Sequence, residues 1–439
     1  MKSYYGDQTK HALENFPFDV PKVSLELVYA ITIIKKAASR AHFLVDELDE
    51  KRADAIINAC DEILAGTHDN QFPVSSLQGG AGTSINMNVN EVIASRASEI
   101  ARIPVHPNDH VNMGQSTNDV NPTALRMVCL QLIDQLLAQL RKLSRSCVEK
   151  RKKYGHIKKL ARTHMQDAIP ITVGSEMSAW EATINRDAKR ILSFRPYLQE
   201  IHLGGTAIGN SITASKSFRT ALYKELNKLV KNAGGQFKPA ANFYSFTSST
   251  SDFVHLSNLV ALLAGDLSKI AHDIRFLASG PRGGIGEYIL EPLQKGSSIM
   301  PGKVNPVIPE TMNQIYYHIS GKNLAVQMAN ETSDLQLAVM FPTAADSLIT
   351  SLKLLIVGVT QFTEKCISCL SVDEERCRFH LENSTAYATV LAPILGYDKV
   401  TDLVNKTIQT GQGFRRVILN EKIMTEEELD RLLLQIPIE

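Results

Sequence analysis

Little in this sequence assigns it quickly, and what it lacks excludes several classes of protein. One of its 439 residues is tryptophan, and aromatic residues together make up 6%. There is no surplus of charge, with 47 Lys and Arg against 46 Asp and Glu, a formal net charge of +1. A near-neutral chain has no long-range field to gather a polyanion or an anionic bilayer, so neither nucleic-acid nor membrane binding is expected as its role. The one basic run, Lys150-Arg151-Lys152-Lys153, falls where a long helix is expected to end, and cations there complement the helix dipole. Residues 1–18 contain no apolar stretch of the signal-peptide kind, and no apolar run is expected to reach the ~18 residues of a membrane span.

The six cysteines, Cys60, Cys129, Cys147, Cys366, Cys369 and Cys377, are scattered, and without a secretory leader they read as reduced thiols of a cytoplasmic protein. Cys366 and Cys369 form a lone pair inside an expected helix. No second pair and no histidine stands at zinc spacing, so metal or redox chemistry is not expected there. No glycine fingerprint follows a strand and no phosphate-binding P-loop occurs. The sequence thus predicts no metal and no cofactor.

What is present is helix. From Asp252 to Ser279, apolar residues fall at Val254, Leu256, Leu259, Val260, Leu263, Leu267, Ile270, Ala271, Ile274 and Leu277, in the three- and four-residue steps of one helix stripe. Similar patterns cover Pro122–Lys153, Val173–Ile201, Val307–Asn330 and Ala344–Leu370. A chain of 439 residues exceeds what one core supports, so two or three structural units are expected. Helices this long, with stripes this wide, rarely find enough cover in one protomer, which points to a bundle continued across subunits.

Between the helices lie segments rich in Gly, Ser, Thr and Asn: Gln78–Asn90, Asn112–Pro122, Ala161–Thr172, Gly204–Ser215 and Ser279–Pro306. Any one of them alone reads as a connection. Recurring at the ends of long helices, they read as polar loops presented on rigid supports, the usual construction of a small-molecule site. The most informative runs Gly296-Ser297-Ser298-Ile299-Met300-Pro301-Gly302-Lys303-Val304-Asn305-Pro306. An ammonium and an amide close together suit a carboxylate, and a serine hydroxyl among backbone N–H groups could accept a proton if those groups stabilised its alkoxide. From residue types alone, a phosphate-binding turn or a purely structural loop fits as well.

That segment resembles the signature of the aspartase/fumarase superfamily, lyases that eliminate a group from succinate-like substrates. Four further blocks resemble it in the same order: Gly79-Gly80-Ala81-Gly82-Thr83-Ser84-Ile85-Asn86-Met87-Asn88, Gln115-Ser116-Thr117-Asn118-Asp119, Arg162-Thr163-His164-Met165-Gln166-Asp167 and Gly204-Gly205-Thr206-Ala207-Ile208-Gly209. The likeness runs from Tyr4-Tyr5-Gly6 to Leu432. It implies a mainly α, three-domain subunit, with boundaries expected at 1–117, 118–375 and 376–439. It also implies a homotetramer whose long central helices form a twenty-helix core, with each active site shared between three subunits.

The resemblance also assigns roles. Ser297 is similar to the general base of these lyases, carried on a loop that closes over substrate. Lys303 and Asn305 resemble the pair that grips the α-carboxylate. Ser116, Thr117 and Asn118, with Thr83, resemble the block that holds the other carboxylate and the amine side. Thr163 and His164 resemble donors supplied by a neighbouring subunit, and Ser298 belongs to the same substrate-binding set. Asp119 is expected to cap a helix start, Arg282 to order the base of the loop, and Glu310 to partner a lysine or histidine.

Within the superfamily, Ala81-Gly82-Thr83-Ser84, Ser116-Thr117-Asn118, Val307-Ile308-Pro309-Glu310 and Tyr4-Tyr5-Gly6 resemble the aspartase branch. Amine elimination from a small dicarboxylate amino acid is therefore expected, with aspartate giving fumarate and ammonia as the leading reaction. Water elimination, as in fumarate hydratase, and elimination from another amino-substituted succinate or a related amine are the alternatives. Three features depart from the family pattern: Asn210-Ser211 replaces Thr-Gly, Ala338 replaces Asn in a Leu-Asn-Val trio, and Lys295 precedes the signature glycine.

Overall fold

A reciprocal cap starts the longest helix, Thr117–Tyr154, whose 38 residues span about 57 Å at 1.5 Å per residue. The Ser116 hydroxyl accepts from the Asn118 N–H at 3.2 Å, and the Asp119 carboxylate reaches back to the Ser116 N–H at 2.9 Å. Two N–H groups left over by the first turn are thereby satisfied. In this computed structural model, which describes residues 2–231 and 236–434, the other long helices are Val173–Leu198, Ser251–Leu277, Val307–Glu331 and Phe341–Phe362. The five expected helical runs are thus present, with ends displaced by a few residues. Residues 435–439, the end of the expected C-terminal segment, lie outside the described residues.

Three differences from the sequence reading have physical causes. Much of the segment expected as a polar connection at 161–172 is an antiparallel hairpin, β1 (Lys158–Thr163) and β2 (Gln166–Thr172). Its two turn residues, His164 and Met165, both have positive φ, 53° and 61°, as a type I′ turn requires. The last run ends at Phe362 and continues as a π-helical turn over Thr363–Ile367, so Cys366 lies in that turn and Cys369 beyond it. Finally, Ser251–Leu277 and Phe341–Ile367 are long and apolar enough to cross a membrane, contrary to the expectation that no stretch would be. About half of the most apolar stretch of each is buried within the fold, as in a core helix.

The chain divides into two compact units, and the long helices contribute residues to both. The first comprises residues 1–137, 189–262 and 317–356. Here Leu25–Leu44 packs on Glu50–Leu64 and Lys216–Leu229, and Thr83–Ala101 packs on Glu50–Leu64. Ile31, Ile34, Ile56, Ile63, Val89 and Val92 are fully buried, each burial worth roughly 1.5–3 kcal/mol. The second comprises residues 138–188, 263–316 and 357–439. It carries the hairpin, whose Leu160 joins Leu381, Tyr387, Leu391, Phe414 and Ile418 in an apolar cluster.

Candidate active site

In the first unit, the expected substrate residues Ser116, Thr117 and Asn118 occupy the start of the longest helix. Pro122 has no N–H to give the carbonyl four residues before it, which leaves the Asn118 carbonyl free. His202 fills the gap with Nε2 at 2.9 Å. That contact requires the proton on Nε2, and burial drives the pKa of His202 down to about 4, so the ring is neutral at physiological pH. The Asn118 amide donates to the Ala207 carbonyl at 2.7 Å. Asp119, fully buried, does more than cap its own helix: its second oxygen accepts the N–H groups of Gly204 and Thr206 at 2.9 and 3.0 Å. Burial raises its pKa to about 6, against the pull of those three N–H groups and of Lys35.

The glycine block joins the same helix. Ala81 and Gly82 have positive φ, 55° and 84°, and deliver the chain to Thr83, exposed at the start of Thr83–Ala101. Asn121 donates to the Gly82 carbonyl at 3.0 Å, and a Cβ on Gly82 would lie 2.6 Å from that amide nitrogen, so only glycine fits. Thr117 and Asn118 line a narrow cleft with Ala81, Thr247, Leu337 and Ala338. Nearby in the sequence of bonds, Lys35 is fully buried and donates to the Asn112 side chain at 2.7 Å; burial pulls its pKa down to about 7. Nothing in a helical pattern marks a lysine as buried, and this one was missed from sequence.

In the second unit, the signature forms a tight exposed turn. Ser297 Oγ accepts the N–H groups of Ile299 and Met300, each at 3.1 Å. Negative charge developing on that oxygen would therefore meet two fixed donors. The Asn305 amide donates to the Gly296 carbonyl at 2.8 Å, and a Cβ on Gly296 would run into the Lys303 carbonyl oxygen. Ser297, Lys303 and Asn305 are thus brought into one turn, with Lys303 and Ser298 exposed. Thr163 and His164 stand instead on the tip of the β1–β2 hairpin. Glu310 occupies the first turn of Val307–Glu331. Arg282 is exposed, and the base of the loop is held by two residues that sequence reading did not single out. Arg376 donates to the Gly284 and Ile285 carbonyls at 2.8 and 2.9 Å, and His380 donates to Ile285 at 2.9 Å.

Behind the hairpin lies a buried ion cluster. Lys159 Nζ bonds both oxygens of Glu176 at 2.8 and 3.0 Å and stands 2.9 Å from Glu287, whose other oxygen meets Arg162 at 2.9 Å. Tyr288 donates to Glu176 at 2.5 Å. Burial opposes the Lys159 charge, but the two carboxylates outweigh it and hold the ammonium above its ordinary pKa. The cluster therefore pins the strand leading to Thr163 against the segment leading to Ser297. A cavity of about 510 Å³ opens beside it, lined by Arg162, Met165, Glu176, Trp180, Asp273 and Phe276 among others. Of the expected substrate residues it contains none.

The protein belongs to the lyase family, whose pattern it matches over residues 1–321, followed by the Fumarase C C-terminus pattern over residues 388–434. The relatives make the likeness more particular. The chain is 39% identical to the aspartate ammonia-lyase of Bacillus subtilis, over 98% of this chain and 91% of that one. It is 36% identical to the class II fumarate hydratase of Halalkalibacterium halodurans, over 98% and 94%. Its fold superposes with a TM-score of 0.93 on a crystal structure described as fumarate lyase:delta crystallin from Brucella melitensis bound to cobalt, at 40% identity and covering 100% of this chain and 97% of that one. The mainly α aspartase/fumarase fold is thereby established.

Proposed function

We propose that the protein eliminates ammonia from L-aspartate, reversibly, to give fumarate. The observation that carries this reading is the Ser297 turn, in which two backbone N–H groups converge on one hydroxyl oxygen beside Lys303 and Asn305. Deprotonated Ser297 takes the proton from the carbon β to the amine. The electron pair moves into the adjacent carboxylate as an aci-carboxylate, then forms the carbon–carbon double bond as ammonia leaves with the C–N pair. Donors from Thr83, Ser116, Thr117 and Ser298 meet the doubly charged carboxylate, and losing one such donor typically raises a barrier by about 3–4 kcal/mol. Lys303 and Asn305 hold the other carboxylate, while Asn118, Thr163 and His164 complete the pocket. The elimination as written uses no cofactor.

The proposal includes a cytoplasmic homotetramer with sites built from three subunits, and a subunit of three parts, 1–117, 118–375 and 376–439. Exposed apolar side chains on the long helices, among them Leu192, Leu262, Leu324, Met328 and Val357, support subunit packing. The runner-up is hydration of fumarate, favoured by the hydratase relative. Incubation with L-aspartate should produce fumarate absorbance, and Ser297→Ala should cut that turnover by orders of magnitude without unfolding the protein. Absorbance from L-malate alone would move the assignment to the hydratase, and near-normal turnover in Ser297→Ala would remove Ser297 as the base.

A further inference from the structure

We infer that Asp119 is a positioning residue for substrate binding: its carboxylate ties the Ser116–Asn118 turn to the Gly204–Thr206 loop and so sets the direction of the Thr117 and Asn118 side chains. The inference rests on the reading that this turn holds a carboxylate of the substrate. Three backbone N–H groups from two segments converge on Asp119, at 2.9, 2.9 and 3.0 Å, and the side chain is fully buried. The loop it recruits returns two contacts to the turn, His202 to the Asn118 carbonyl and the Asn118 amide to Ala207. Asn118 is therefore held from both sides by a loop that reaches it through Asp119. Helix capping needs only the bond to Ser116; the two bonds to Gly204 and Thr206 do nothing for the cap.

An acceptor-only group is required here. Asparagine keeps the shape but turns an NH₂ toward either Ser116 or the Gly204 and Thr206 pair, setting donor against donor. Such a replacement leaves buried donors unsatisfied and lets the loop separate from the turn. The bonds to Asp119 all come from its own unit, and the turn it holds is the one proposed to meet a substrate carboxylate, so the damage should fall on binding and, through Ser116 and Thr117, on turnover as well.

The test uses the full chain and succinate, a dicarboxylate that cannot react, with binding measured by calorimetry. Asp119→Asn should weaken succinate by about tenfold or more, and raise the KM for L-aspartate by a similar factor. In a double-mutant cycle with Asn118→Ala the losses should fall well short of additive, because Asp119 acts through Asn118. A merely structural Asp119 would lower thermal stability and give additive losses. Unchanged succinate affinity, or strict additivity, overturns the inference. Should Asp119→Asn fail to fold, His202→Phe removes the donor to Asn118 and leaves the carboxylate; unchanged succinate affinity in that variant overturns it equally. Wild-type protein that binds succinate but does not turn over aspartate refutes the proposed reaction while leaving Asp119 testable. Wild-type protein that turns over aspartate, with Asp119→Asn indistinguishable from it, refutes only the inference.

Discussion

Lys35 should make the protein more stable as the solution turns alkaline, and Lys35→Met should abolish that gain. The side chain is fully buried, with its amine on the Asn112 side chain at 2.7 Å, and burial lowers its pKa from 10.5 to about 7. In the unfolded chain the amine stays protonated up to pH 10.5. Between about pH 7 and 10.5 the unfolded state therefore binds one more proton than the folded state, and folding becomes more favourable as pH rises. A depressed lysine pKa contributes fully above 10.5, and its contribution is lost as pH falls through 7. Each unit is worth about 1.4 kcal/mol, so raising the pH from 7.5 to 9.5 should stabilise the wild type by about 2–3 kcal/mol through this group. Lys35→Met keeps the volume and removes the titration. Equilibrium unfolding in urea at both pH values, at one protomer concentration, isolates the effect as the change in the gap between the two proteins. Other titrating groups, and dissociation of the proposed tetramer, cancel in that comparison. The lost Asn112 bond shifts the gap equally at both pH values. A gap that moves by less than about 0.5 kcal/mol would show that Lys35 is hydrated or charged in the fold, and the reasoning would fail.

Two further perturbations follow from the same kind of accounting. Lys159→Met should destabilise the protein by roughly 3–5 kcal/mol in urea unfolding, because it strands the fully buried Glu287 beside Arg162 alone; adding Glu287→Gln should recover part of the loss, and a single-variant loss below about 1 kcal/mol would show the cluster is not desolvated. Ser211 stands at φ 56°, where a side chain is strained, so Ser211→Gly should stabilise by about 1 kcal/mol, and a destabilised variant would mean that the Ser211 side chain supplies compensating contacts.

The helices were legible because burial repeats every three to four residues. Leu256, Leu263, Leu267 and Ile274 on Ser251–Leu277 are all fully buried, as the stripe requires. Their ends were less legible. Pro122 drew the expected start of the longest helix toward itself, while the Ser116 and Asp119 pair sets it at Thr117, five residues earlier. The hairpin could not be read at all: β2 contains Pro170, and His164-Met165 lacks the asparagine or glycine that usually marks a type I′ turn. The Ser297 turn was legible as a candidate because its groups are contiguous. Asp119 was legible only as a cap, since two of its three donors lie 85 and 87 residues away. Lys35 and Lys159 share that fate, because a charged residue in a local pattern reads as solvated until its distant cover is known.

The departures from the family pattern bear unequally on substrate. Asn210 is exposed and spends its side chain on the Ile212 N–H at 3.3 Å, within its own turn, and Ser211 is a matter of backbone strain. Lys295 is exposed on the loop. Ala338 differs from these, because it lines the cleft with Thr117 and Asn118 and is anchored by its N–H to the Thr247 carbonyl at 3.0 Å. At that wall Ala338 presents a methyl group, which offers no hydrogen bond. On the proposed reading that this cleft takes part of the substrate, a further polar substituent on a succinate skeleton would be left there without a partner, at about 1–3 kcal/mol for a buried group. Unsubstituted aspartate or malate loses nothing at that position. Their discrimination then falls to the groups proposed to meet the amine or the hydroxyl, and Asn118, held from both sides by the Asp119-bound loop, is one residue of the cleft whose side chain carries both a donor and an acceptor.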